Sequence, residues 1–111
     1  MAIEKWSEQI NLVRLGDDPQ FSDDLDQLTE QVNARRQGPD VVLDFSGVRA
    51  VNSSNIASLL KLRKAIVSTS GKLVLCCVPT QIWGTFLVTG LDKIFEFTDD
   101  VTTALATIQL K

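Results

Sequence analysis

Asn52, Ser53, Ser54 and Asn55 stand in one run, two hydroxyls between two amides, immediately ahead of an apolar stretch with helical spacing. Residues of these types have two kinds of chemistry open to them there. A serine hydroxyl or amide oxygen can accept a bond from an unpaired backbone N–H of the first helical turn, typically worth about 1 kcal/mol. A serine hydroxyl can also take a phosphoryl group, and the positive end of the helix dipole tolerates the roughly two negative charges it brings. Ser53 suits both roles, and Asn52 or Ser54 could supply the cap instead.

Other chemistry is harder to build from this chain. Its 111 residues contain no histidine, which removes the serine–histidine and cysteine–histidine nucleophile pairs and the commonest metal ligand together. There is no glycine-rich phosphate loop, and Asp40 and Asp44, on a buried strand, have no evident partner for acid–base work. Cys76 and Cys77 are adjacent inside KLVLCCV and read as small core residues of a strand rather than a disulfide. No catalytic residue, metal site or cofactor is expected.

The net charge of −3 is unevenly laid out. Residues 1–30 carry eight acids against Lys5 and Arg14, whereas Phe45 to Leu91 carry none, only Arg49, Lys61, Arg63, Lys64 and Lys72. Five bases without interleaved aromatic residues make a poor phosphate track, so nucleic acid is not an expected partner. No stretch approaches the roughly 18 apolar residues of a membrane span, and MAIEKWSEQ lacks the regions of a signal peptide, so a cytoplasmic protein with no direct membrane insertion is expected.

The elements that must hold the serines follow from periodicity. Residues 3–15 read as one or two strands, broken by Asp17, Asp18 and Pro19. Phe21, Leu25, Leu28 and Val32 draw a helical stripe, with Asp23, Asp24, Asp26 and Glu30 on the other faces; Arg35 and Arg36 suit its end, and Gly38 and Pro39 stop it. Asp40 to Phe45 is a strand covered on both faces, followed by a turn at Ser46 and Gly47. The helix after it runs to about Thr69 with Ile56, Leu59, Leu60 and Ile66 inward. Lys72 to Val78 is a second buried strand, Thr80 to Thr89 a short helix and Ile94 to Phe97 a strand. Asp99 to Ile108 is a last helix, with Val101, Leu105 and Ile108 on one side. The length predicts one domain over residues 1–111. Its fold class is α/β, a mostly parallel central sheet with helices, in the order β-β-α-β-α-β-α-β-α.

Three stretches in this order resemble the STAS domain, the sulfate-transporter and anti-sigma-factor-antagonist family. "VVLDFSGVRAVNSSNIASLLKL" resembles its strand, D-x-S-G-V turn and serine-capped helix. "GKLVLCCVPTQI" resembles the next strand and helix start, and "TGLDKIFEFTDDVTTAL" its ending. The resemblance spans residues 40–107, and residues 1–39 agree in pattern only. In the bacterial anti-sigma factor antagonists the helix start reads D-S-[ST]-G, and a partner kinase phosphorylates the first serine. Ser53 matches that phosphoacceptor and Ser54 the next hydroxyl, while Asn52 replaces the aspartate and Asn55 the glycine.

The resemblance implies a binding module that acts by partner switching. Dephosphorylated, it binds an anti-sigma factor serine kinase; phosphorylation of Ser53 dissolves the complex, and a phosphatase restores it. ATP belongs to the kinase, and the protein is a substrate, not an enzyme. The alternative is a non-switching STAS subunit of a larger assembly, either a lipid ABC transporter or a stress-signalling scaffold. The candidate partner surface is Asn52, Ser54 and Asn55 with Ala57, Lys61 and Lys64. Ser53, Ala57, Leu60 and Lys64 share a sector of about 60° on the helix, with Lys61 just outside it. Trp83 and Leu87, four residues apart on one shoulder of a helix, are a second candidate: an apolar patch for another protein or a homodimer.

Overall fold

The computed structural model describes residues 9–34 and 40–110, together with the backbone of residues 3–5. Arg35, Arg36, Gly38 and Pro39 lie outside the described residues. Five strands form one sheet: β1 (Ile3–Lys5), β2 (Ile10–Arg14), β3 (Asp40–Asp44), β4 (Leu73–Cys76) and β5 (Glu96–Thr98), in spatial order β1-β2-β3-β4-β5. β1 pairs antiparallel with β2, and the other pairings are parallel. Each parallel step crosses over through a helix: α1 (Gln20–Asn33), α2 (Ser53–Ser68) and α3 (Thr80–Thr89); α4 (Val101–Leu110) follows β5. This is the alternating α/β order expected.

The strand pleat assigns side chains to two cores. Val13 and Leu15, Val41, Leu43 and Phe45, and Leu75 face α1, α2 and α3. Ile10, Leu12, Val42, Val74 and Cys76 face Ala104, Leu105 and Ile108 of α4. Phe45, just beyond β3, meets Phe21 of α1 and Phe86 of α3 edge-on, each with centroids 5.9 Å apart. That aromatic line fixes α1 and α3 around the C-terminal end of β3, the end from which the chain leaves for α2.

Several boundaries and faces differ from expectation. β4 ends at Cys76 because Cys77 takes φ 60°, a left-handed conformation that turns the chain out of the sheet. Residues 91–93 form a 3-10 turn, so β5 begins only at Glu96. α4 starts at Val101, with the Asp100 carboxylate accepting from Thr103 N–H at 2.7 Å. Asp24 of α1, expected outside, is buried beside the apolar stripe. Leu60 of α2, expected inward, is exposed, and the inward stripe is Asn55, Ser58, Leu59, Leu62, Ala65 and Ile66. Two polar residues, Asn55 and Ser58, open that stripe, and Leu60 lies outside it.

Candidate functional site

The turn between β3 and α2 is built by its own sequence. The Asp44 carboxylate accepts from Ser46 N–H at 2.9 Å, and Val48 N–H donates to the Phe45 carbonyl at 2.9 Å. A Cβ on Gly47 would sit 2.9 Å from the Leu15 carbonyl oxygen, so this close approach of two backbones admits only glycine without a shift. From the other side, Asp17 Oδ1 accepts from Arg49 N–H at 2.7 Å and Ala50 N–H at 3.3 Å. The loop after β2 therefore holds the loop after β3, and together they aim the chain into α2.

Asn52 is the N-cap of α2, not Ser53. Its Oδ1 accepts from Asn55 N–H at 2.9 Å, while Asn52 N–H donates to Asn55 Oδ1 at 3.0 Å. This reciprocal capping box satisfies two backbone donors with two amides. Both amides then reach back to the loop before α1, and one of them to its first turn: Asn55 Nδ2 donates to Asp18 Oδ2 at 2.9 Å and to Ser22 Oγ at 3.2 Å, and Asn52 Nδ2 donates to Asp18 Oδ2 at 3.3 Å. The other Asp18 oxygen accepts from Ser22 N–H and Ser22 Oγ–H. The Asn55 amide first, then Ser22, holds the Asp18 carboxyl below its ordinary range.

This geometry corrects one expected partner residue and explains both departures from the D-S-[ST]-G pattern. Asn55 is only 2% exposed and has every polar group bonded inward, so it braces the site and does not face a partner. At position 52 an aspartate would put a second carboxylate within about 3.3 Å of Asp18 Oδ2, where the amide now donates a bond. The carboxylate of this site thus stands on the loop before α1, at Asp18, instead of at the helix cap.

With the cap taken by Asn52, Ser53 is the first residue of α2, exposed, and its hydroxyl bonds to no other described residue. Ser54, Ala57, Lys61 and Lys64 are exposed as well. A shallow depression of about 360 Å³, lined by Asp17, Asp18, Ala50, Val51, Asn52 and Asn55, lies beside the helix start. Lys61 and Lys64 border a separate groove between α1 and α2 with Thr29 and Asn33. The structure thus brings Asn52, Ser53 and Ser54 to one helix end and runs Ala57, Lys61 and Lys64 away along the same exposed face.

The second candidate surface needs correction. Trp83 is half-buried, edge-on to Phe97 at 4.9 Å and against Phe86 at 6.2 Å, so much of the indole belongs to the core. Its free edge lines a cavity of about 200 Å³ with Val78, Phe97, Thr98 and Asp99. Leu87 is exposed together with its neighbour Val88. Sequence reasoning missed Asp17, Asp18 and Ser22; the one signal available was the pair of aspartates in the loop after β2, read there only as a strand breaker.

A four-strand parallel sheet with a fifth antiparallel strand, carrying an exposed serine on a braced helix start, defines an α/β domain of one connectivity. The STAS domain model matches residues 17–104, and the chain belongs to that family. Solved structures agree on the fold. An anti-sigma-factor antagonist (STAS) domain protein from Planctomyces limnophilus superposes with a TM-score of 0.74 at 21% identity, covering 96% of this chain and 97% of that one. An anti-sigma factor antagonist from Mycobacterium paratuberculosis gives 0.77 at 22% identity over 96% and 91%. A variant of RsbS from Moorella thermoacetica gives 0.80 at 16% identity over 96% and 92%. No protein of curated function matches the chain in sequence.

Proposed function

We propose that this STAS domain is an anti-sigma factor antagonist that works by partner switching. The exposed face of α2 around Ser53 binds an anti-sigma factor serine kinase, phosphorylation of Ser53 ends the complex, and a phosphatase resets it. In this reading the protein is a cytoplasmic substrate and binding module, and catalysis belongs to the partners. The observation that carries the reading is the hydroxyl of Ser53, which bonds to no other described residue: Asn52 does the capping, so modifying Ser53 breaks no side-chain bond among the described residues. The brace of Asp18, Asn52 and Asn55 beneath it keeps the helix start rigid while charge is added to its surface.

The test is the intact mass of the protein after incubation with magnesium, ATP and each anti-sigma kinase of the source organism, repeated with Ser53→Ala. One added phosphoryl group that disappears in the variant supports the switch. A kinase that binds without transferring phosphate, equally to wild type, Ser53→Ala and Ser53→Glu, assigns the alternative, a constitutive subunit. Asn52 favours that alternative in one respect, because it brings no carboxylate to the position before the serine.

A further inference from the structure

On the α4 side of the sheet, away from the α2 surface, the parallel register sets Asp44 of β3 directly beside Cys76 of β4. Cys77 follows at φ 60°, and that left-handed turn brings its sulfur back to 3.7 Å from the Cys76 sulfur. One donor atom from each of Asp44, Cys76 and Cys77 lies within 4.8 Å of the others. We propose that these three residues form a binding site for a thiophilic d10 divalent cation, zinc being the physiological member of that class.

Four features of the site argue for it. Two sulfurs on one tetrahedral zinc, each about 2.3 Å from the metal, stand about 3.8 Å apart, which is the separation the two thiols already have. Two thiolates and a carboxylate supply three donors and leave a fourth position for water, the usual open-site count. Asp44 and Cys76 are almost fully buried while Cys77 is half-exposed, so a cation has an entry path and a dry floor. The Asp44 carboxylate is already oriented, since Ser46 N–H holds one oxygen and the exposed Arg14 guanidinium stands 4.0 Å from the other.

Binding breaks two S–H bonds, forms two metal–sulfur bonds and releases two protons to solvent, with no change of oxidation state.

The experiment titrates the full chain, tag-free and kept reduced by a phosphine, with cadmium chloride, and then displaces the cadmium with zinc. One equivalent giving a sulfur-to-cadmium charge-transfer absorption, reversed by zinc, is the expected result. Cys77→Ser, at a half-exposed position, keeps the fold and weakens binding by about 100-fold or more; Asp44→Asn, which can still accept from Ser46 N–H, weakens it by about 10-fold or more. No charge-transfer absorption at ten equivalents, or an absorption unchanged in Cys77→Ser, overturns the proposal.

Discussion

Restoring the family's glycine at position 55 should damage this protein. Asn55→Gly removes three hydrogen bonds: from Asn52 N–H at 3.0 Å, to Asp18 Oδ2 at 2.9 Å and to Ser22 Oγ at 3.2 Å. A typical intramolecular bond contributes about 1 kcal/mol net. Asp18 and Asn52 are exposed and regain water, so about half of the three-bond sum, near 1.5 kcal/mol, survives as a real loss. Within the first helical turn asparagine lies roughly midway between alanine and glycine, which differ by about 1 kcal/mol. The expected destabilisation is about 2 kcal/mol for Asn55→Gly and about 1 kcal/mol for Asn55→Ala, and the difference between the two variants isolates the backbone contribution from the lost brace. Urea unfolding followed by far-ultraviolet circular dichroism measures both, with an unchanged m-value as the check that only stability moved. In a domain of this size the melting temperature falls by about 10 °C for Asn55→Gly. A loss below about 0.5 kcal/mol in Asn55→Ala would refute the reasoning, because it would mean that the buried amide braces nothing.

Three further outcomes follow from the same region. Asn52→Asp keeps a good N-cap but sets two carboxylates about 3.3 Å apart, costing about 1 kcal/mol at neutral pH; urea curves should show that cost vanish when Asp18→Asn is added. The depressed Asp18 carboxyl contributes stability above the unfolded value of about pH 4 and loses it as pH falls through its lower folded value. Acid unfolding curves of wild type and Asp18→Asn should therefore differ at neutral pH and converge in that acidic window. Gly47→Ala, whose Cβ would meet the Leu15 carbonyl at 2.9 Å, should destabilise by about 2 kcal/mol in thermal melts, with no rescue by a second change in α2.

Why the fold was legible and the brace was not comes down to range. Strands such as DVVLD and LVLC announce themselves through local apolar density, and the crossover rule then leaves little choice of topology. The stripe of Phe21, Leu25, Leu28 and Val32 is likewise a local period, and all four are buried as expected. Asn55 and Ser58 defeat the same logic because hydropathy treats a buried amide as surface, and its partners Asp18 and Ser22 lie more than 30 residues away. Trp83 fails in the other direction. Its half-burial depends on Phe97 of β5, a contact between elements that no single-helix wheel contains.

The same distinction bears on how a serine at a helix start can be both conspicuous and uncommitted. Under the proposed function the motif match at Ser53 and Ser54 marks the surface a partner would meet, and the residues that shape that surface are Asn52 and Asn55, where the pattern breaks. Read as isolated departures, two asparagines remove a charge and add bulk. Read with Asp18, they move the carboxylate to the neighbouring loop and replace helix-cap chemistry with a three-residue clasp. The cap is the Asn52 side chain, as it would be with an aspartate there, so Ser53 has no capping bond to lose, and a serine outside the cap can change its charge state at little cost to folding. Departure from the family pattern at two positions is therefore compatible with keeping the chemistry at the third.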